Sequence, residues 1–179
     1  EIAIIESLDN GMPLTAARHM AVAGAISSIR YNAGWARRIG GVTAPVSVPG
    51  EWHGYTTREP LGVAALIVPW NAPFAMTCNK VSAALAAGCT IVLKPAELAP
   101  LSALKLAEIA DTAGFPPGVI NVVTGLGSEA GAALVRHPGV DKISFTGSTA
   151  TGQGILHETV GTLKRVSLEL EGDLIDPRM

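Results

Sequence analysis

Charged residues make up only 16% of this 179-residue chain, against roughly 25% in ordinary soluble domains. Hydrophobic residues reach 48%, and the mean hydropathy is +0.36. A chain this short of charge is expected to carry apolar surface that meets a partner, a subunit or further polypeptide. The net charge is −2 with no basic tract, which argues against nucleic acid as a partner. No apolar run approaches the 18 or so residues of a membrane span, so a membrane protein is not expected. The two cysteines, Cys78 and Cys89, lack CxxC spacing, so no disulfide framework is indicated and a reducing, cytoplasmic setting is the default. His19, His53, His137 and His157 show no ligand spacing, and no metal site is expected. No targeting signal is visible. A start at Glu1-Ile2-Ala3 without Met reads as a chain cut into rather than naturally begun.

What is present is organised around residues 61–97. Val63 to Val68 and Thr90 to Leu93 are apolar runs rich in Val and Ile, bounded by turn residues, and read as buried strands. Met76 to Ala87 between them has helical composition and is stopped by Gly88. Strand, helix and strand of this length make a parallel crossover unit. Ligands of such sheets bind beyond the carboxyl ends of the strands. There the chain carries Pro69-Trp70-Asn71-Ala72-Pro73 and Lys94-Pro95-Ala96-Glu97.

Upstream, Glu1 to Leu8 reads as the tail of a helix stopped by Asp9-Asn10-Gly11, and Leu14 to Ile39 as a long helix. Val42 to Val48 and Tyr55 to Arg58, turning at Pro49-Gly50, suggest an exposed hairpin that must pack on another body. Downstream, helix Pro100–Ala113, strand Val119–Val123, helix Gly125–Arg136, strand Lys142–Phe145, helix Ser148–Val160 and strand Arg165–Leu170 alternate. Such alternation predicts an α/β fold, a Rossmann-like doubly wound parallel sheet with N-terminal helices and a protruding β-hairpin.

Several groups can carry chemistry, and each has an ordinary reading beside it. Gly125-Leu126-Gly127-Ser128-Glu129-Ala130 matches a dinucleotide fingerprint, with Gly127 as the candidate contact, but equally a tight turn. Ser148, after Phe145, Thr146 and Gly147, opens a helix whose N–H groups suit a pyrophosphate, or is an ordinary cap. Lys94 and Glu97 can share a ribose diol or form a surface ion pair. Asn71 offers a fixed amide to a developing oxyanion, or bonds its own backbone. Glu169 interrupts an apolar strand; burial would raise its pKa and make it a general base, while a strand-end position would leave it solvated.

The motifs VPWNAPF, ALAAGCTIVLKPAE, GFPPGVINVV, FTGST and KRVSLEL occur in the order and at the separations of the NAD(P)-dependent aldehyde dehydrogenase superfamily. The resemblance covers about Glu6 to Leu170. It implies that Val68, Pro69, Trp70, Lys94, Glu97, Phe145, Thr146, Gly147 and Ser148 line the cofactor, with Lys94 and Glu97 on the adenosine ribose. A carboxylate there would repel a 2′-phosphate, so NAD is favoured over NADP. The resemblance further implies that Asn71 polarises the substrate carbonyl and that Glu169 activates water. It makes residues 42–60 the oligomerisation arm of a homo-oligomer, between an N-terminal helical segment (1–41) and the NAD-binding domain (61–170).

At the end the chain departs from the family. The family pattern reads E-L-G-G-K, whereas this chain reads Glu169-Leu170-Glu171-Gly172-Asp173, and residues 171–179 form a divergent tail. Glu171 would crowd the nicotinamide and, as a second carboxylate on the same side, push one pKa upward. The cysteine that attacks the aldehyde in the family lies further on, and neither Cys78 nor Cys89 occupies its place. The chain alone is therefore expected to be inactive. A non-catalytic, truncated paralogue acting as a nucleotide-binding or assembly module is the alternative.

Overall fold

A computed structural model describes residues 1–171, Glu171 by its backbone alone. Helix α1 (Ile2–Asn10) stops at Gly11, which adopts the left-handed conformation (φ +80°) that glycine tolerates best. Asp9 and Asn10, expected to stop the helix, are its last residues, and both side chains bond to other elements. Residues 14–33 follow as α2 (Leu14–Ala16), a π-helical stretch (Ala17–Val22) and α3 (Ala23–Ala33). The helix expected to reach Ile39 ends at Gly34, whose N–H turns back to the Arg30 and Tyr31 carbonyls. Arg37 and Arg38 thus lie in a turn beyond it rather than in its last turn.

Strands β1 (Thr43–Ala44) and β2 (Gly54–Tyr55) pair antiparallel, a shorter ribbon than the alternation suggests. Val42, Val48, Trp52 and Tyr55 are all more than half exposed. A two-stranded ribbon has no second layer on which to bury such side chains.

The body then runs β3 (Val63–Ile67), α4 (Pro73–Ala86), β4 (Thr90–Lys94), α5 (Leu101–Thr112) and β5 (Ile120–Val122). A π-helical turn (Gly127–Gly131) leads into α6 (Ala132–Arg136), followed by β6 (Lys142–Ser148), α7 (Thr149–Thr159) and β7 (Arg165–Glu171). The five strands lie in the order β5-β4-β3-β6-β7, all parallel. Strand β6 runs past Phe145 because Thr146, Gly147 and Ser148 pair with Glu169, Leu170 and Glu171 of β7. The segment expected to be a helix-opening loop is therefore mostly strand, with Ser148 as the cap.

Side chains alternate across the sheet with period two. Ala64, Leu66 and Val68 pack with Phe74, Val81, Ile91 and Leu93 beneath α4. Ala65, Ile143 and Phe145 pack with Val135 and Ile155 beneath α6 and α7. Strand order reverses at β3, with β4 and β5 to one side and β6 and β7 to the other. That reversal opens a crevice at the carboxyl end of β3, where ligands of such sheets bind. Among the described residues no helix is long and apolar enough to cross a membrane.

Candidate functional site

The register sets Lys94 beside Ile67 on one flank and Phe145 beside it on the other. Lys94 is 2% exposed, and its Nζ lies 3.1 Å from Glu97 Oε2. A buried cation is costly unless paired, and the pair leaves Glu97 reaching outward, its side chain 42% exposed. The i, i+3 pair read from the sequence therefore exists, one member inside and one at the surface.

Next to it, between α6 and α7, lies a cavity of about 670 Å³, lined by Ile67, Gly127, Gly131, Phe145, Thr151 and Ile155 among others. A Cβ on Gly131 would sit 4.0 Å from Lys94 Cδ, so the lysine stem passes along this wall. Ser148 caps α7: its Oγ accepts the Thr151 N–H at 3.3 Å and lies 3.0 Å from Thr151 Oγ1. At Gly147 a Cβ would come within 2.7 Å of the Phe145 ring, so a larger residue would displace the ring from the cavity wall. In the fingerprint loop the conformational demand falls on Gly125 (φ +141°), whereas a Cβ on Gly127 meets nothing. Gly125 is thus the tight turn, and Gly127 is a wall of the cavity.

On the opposite face, Glu169 stands across from Thr146 in the β6–β7 register. Thr146 Oγ1 donates to Glu169 Oε2 at 2.6 Å. Lys80 Nζ, from α4, lies 3.2 Å from the same oxygen and 3.0 Å from Ser144 Oγ. The Glu169 side chain is 59% exposed, which corrects the expectation of a buried carboxyl with a raised pKa. Its pKa is lowered instead, chiefly by the Thr146 hydroxyl; burial opposes this as the next largest effect, and the charge and hydrogen bond of Lys80 lower it further. Glu171, whose side chain was expected to raise it, lies outside the residues described in side-chain detail. Lys80 was missed in the sequence, although it is the one charged residue of the stretch Met76 to Ala87. It lines a groove of about 450 Å³ with Leu66, Ala83, Lys142, Ser144 and Glu169.

This geometry fixes an acid-side prediction. Because the folded pKa of Glu169 is depressed, its contribution to stability is present above the ordinary carboxylate pKa and is lost as pH falls through the folded value. Thr146→Val removes the largest cause. A carbon-detected NMR titration is expected to show Glu169 moving up toward the ordinary carboxylate value, and an unchanged titration would contradict the assignment.

Asn71 sits half-buried in the loop after β3, and β6 separates β3 from the strand of Glu169. Val68 is 2% exposed and its N–H donates to the Lys94 carbonyl at 3.2 Å, tying this loop to the next. The Trp70 carbonyl accepts from the Asn10 side-chain amide. Pro69 and Trp70 are half-buried. Neither cysteine is open to the surface: Cys78 is fully buried with its thiol pushed up to about 12, chiefly by burial, and Cys89 is 6% exposed. Among the described residues no cluster of three or more His, Cys, Asp or Glu is placed to hold a metal ion.

The pattern of the aldehyde dehydrogenase family matches residues 1–174, a longer span than the motifs alone mark out. This chain belongs to the aldehyde dehydrogenase family. It is 53% identical to the Bacillus subtilis protein DhaS over 96% of its own length and 34% of that protein. To human retinal dehydrogenase 2 it is 48% identical, over 96% of this chain and 33% of the relative. An NAD+ complex of an aldehyde dehydrogenase from Bacillus cereus superposes with a TM-score of 0.92 at 49% identity, covering 95% of this chain and 34% of that one. The chain thus spans about a third of the length of the family members it matches.

Proposed function

We propose that this chain is the coenzyme-binding part of an NAD-dependent aldehyde dehydrogenase. The observation that carries the reading is the cavity between α6 and α7, with the stem of Lys94, paired to Glu97, beside its Gly131 wall, in a fold that a family member solved with NAD shares. An apolar cavity of about 670 Å³ is of the size that small ligands and cofactors occupy. In this reading the adenosine enters the cavity and Lys94 donates to its ribose diol while Glu97 accepts from it. The pyrophosphate meets Gly127, Gly147 and the capped end of α7 at Ser148, where free N–H groups and the helix dipole favour an anion. Phe145 completes the cavity wall, and Val68, Pro69, Trp70 and Thr146 lie along the strand ends on the way to Asn71 and Glu169.

When bound, NAD supplies the acceptor for a hydride leaving the aldehyde carbon. Asn71 donates to the carbonyl oxygen as it gains charge. Glu169, held ionised by Thr146 and Lys80, accepts a proton from the water that completes the acid. Cys78 and Cys89 are both packed in the core, and neither is assigned as the attacking thiolate. On this account the 179-residue chain binds cofactor without turnover. The exposed Val48, Trp52 and Tyr55 of the hairpin support residues 42–60 as an arm that packs on another copy in a homo-oligomer. A reducing, cytoplasmic setting suits the two free cysteines.

Calorimetric titration tests the reading. NAD is expected to bind and NADP to bind more weakly, because the Glu97 carboxylate faces the ribose edge. Equal affinity for both would remove Glu97 from the site, and no heat from NAD at millimolar concentration would remove the function.

A further inference from the structure

Glu6, Asp9 and Asn10 stand at i, i+3 and i+4 on α1 and therefore share one face of that helix. Each bonds to a different segment at the carboxyl edge of the sheet. Glu6 is fully buried, and its Oε1 accepts the Phe74 N–H at 3.1 Å. That N–H lies in the first turn of α4, whose own cap position, Ala72, supplies no side-chain acceptor; such donors otherwise go unsatisfied. Asp9 serves α5 in the same way, its Oδ2 accepting the Leu101 N–H at 2.8 Å where Pro100 offers no cap. The Asn10 amide donates to the Trp70 carbonyl. Carboxylates at two helix N-termini are further favoured by the helix dipoles.

One helix thereby ties down both loops that carry the candidate binding residues. One is 68–72, with Asn71; the other is 94–100, with Lys94 and Glu97. The described lining of the cavity comes from other elements. We infer that Glu6, Asp9 and Asn10 are positioning residues, through which α1 sets the separation of the two loops that grip the dinucleotide. This rests on the NAD reading above. Glu6 is an awkward choice for stability alone, because burial pushes the carboxyl pKa up. The Phe74 N–H and the nearby Ser102 hydroxyl offset that only in part, the Ser102 hydroxyl lying outside good hydrogen-bond geometry. Position and stability are therefore separable at this residue, because a neutral side chain with the same acceptor oxygen would hold Phe74 without burying a charge.

The test uses the full chain with Trp35→Phe and Trp52→Phe, which leaves Trp70 as the one indole emitter. Asn10→Asp removes the donor to Trp70 and sets a carboxylate against its carbonyl. It is expected to weaken NAD binding about tenfold, to shift Trp70 emission, and to leave a cooperative melt. Glu6→Gln is expected to bind NAD within about twofold of the parent and to melt no lower, whereas Glu6→Ala loses affinity as Asn10→Asp does. Parent-like affinity and Trp70 emission in both Asn10→Asp and Glu6→Ala, with both folded, would overturn the inference. If Glu6→Ala does not fold, Asn10→Asp decides alone. A parent chain that binds no NAD counts against the proposed function, and the Trp70 emission of Asn10→Asp then decides whether α1 holds the loop.

Discussion

Lys94→Met is expected to weaken NAD binding by about 10- to 100-fold, the range for losing a hydrogen bond from a charged donor. Methionine keeps the length and the apolar stem that runs past Gly131, so the cavity wall should survive. What disappears is the ammonium, the donor we assign to the ribose. The partner left behind is tolerable, because the Glu97 side chain is 42% exposed and can be hydrated. The melt of Lys94→Met should therefore stay cooperative while affinity falls. Titration calorimetry with NAD measures the loss, and an affinity within twofold of the parent would take Lys94 out of the site.

The second large effect concerns the sheet. Leu93→Ala is expected to cost about 2–5 kcal/mol. Leu93 has no exposed surface and packs beneath α4 with Leu66, Ile91 and Phe74. Its strand pairs with β3 and β5 on its two sides, so the cavity is locked in by neighbours that cannot collapse into it. In a domain of this size the thermal midpoint should fall by roughly 5–15 °C. Leu163→Ala, at a position with 102% relative exposure, is the contrast and should leave the midpoint unchanged. Differential scanning calorimetry on the three chains decides it. Equal shifts for both variants would mean that the core is not organised as described.

The parts of the fold that were legible are those where local chemistry and tertiary packing agree. Strand β3 was expected at Val63–Val68 and occupies Val63–Ile67, because Val and Ile bounded by turn residues suit a strand buried on both faces. Helix α4 begins at Pro73 rather than Met76, since proline is well tolerated at a first helical position. The end of β6 was not legible: Thr146-Gly147-Ser148 has turn composition, and only pairing with β7 draws it into the sheet. Gly34 ended a helix expected to continue, because a glycine that closes a helix and one that packs within it look alike in a sequence.

The site divides in the same way. Lys94, Glu97 and Ser148 could be found because their partners lie three residues away, within one loop or one helical turn. The state of Glu169 could not, since Thr146 and Lys80 lie 23 and 89 residues distant in the chain. Its neighbours, rather than its place in an apolar strand, set its charge. The service of α1 to α4 and α5 spans 68 and 92 residues and was equally invisible.

The dinucleotide is assigned across the carboxyl edge of the sheet, between the α6–α7 cavity and the loop of Asn71. Amide chemical-shift mapping of the isotope-labelled chain, titrated with NAD, reads that placement residue by residue. The account predicts that segments 68–71, 94–97, 127–131 and 145–151 shift together along one binding curve, with the hairpin at 42–60 unmoved. Shifts confined to the hairpin or to the N-terminal helices, or none at saturating NAD, would contradict it.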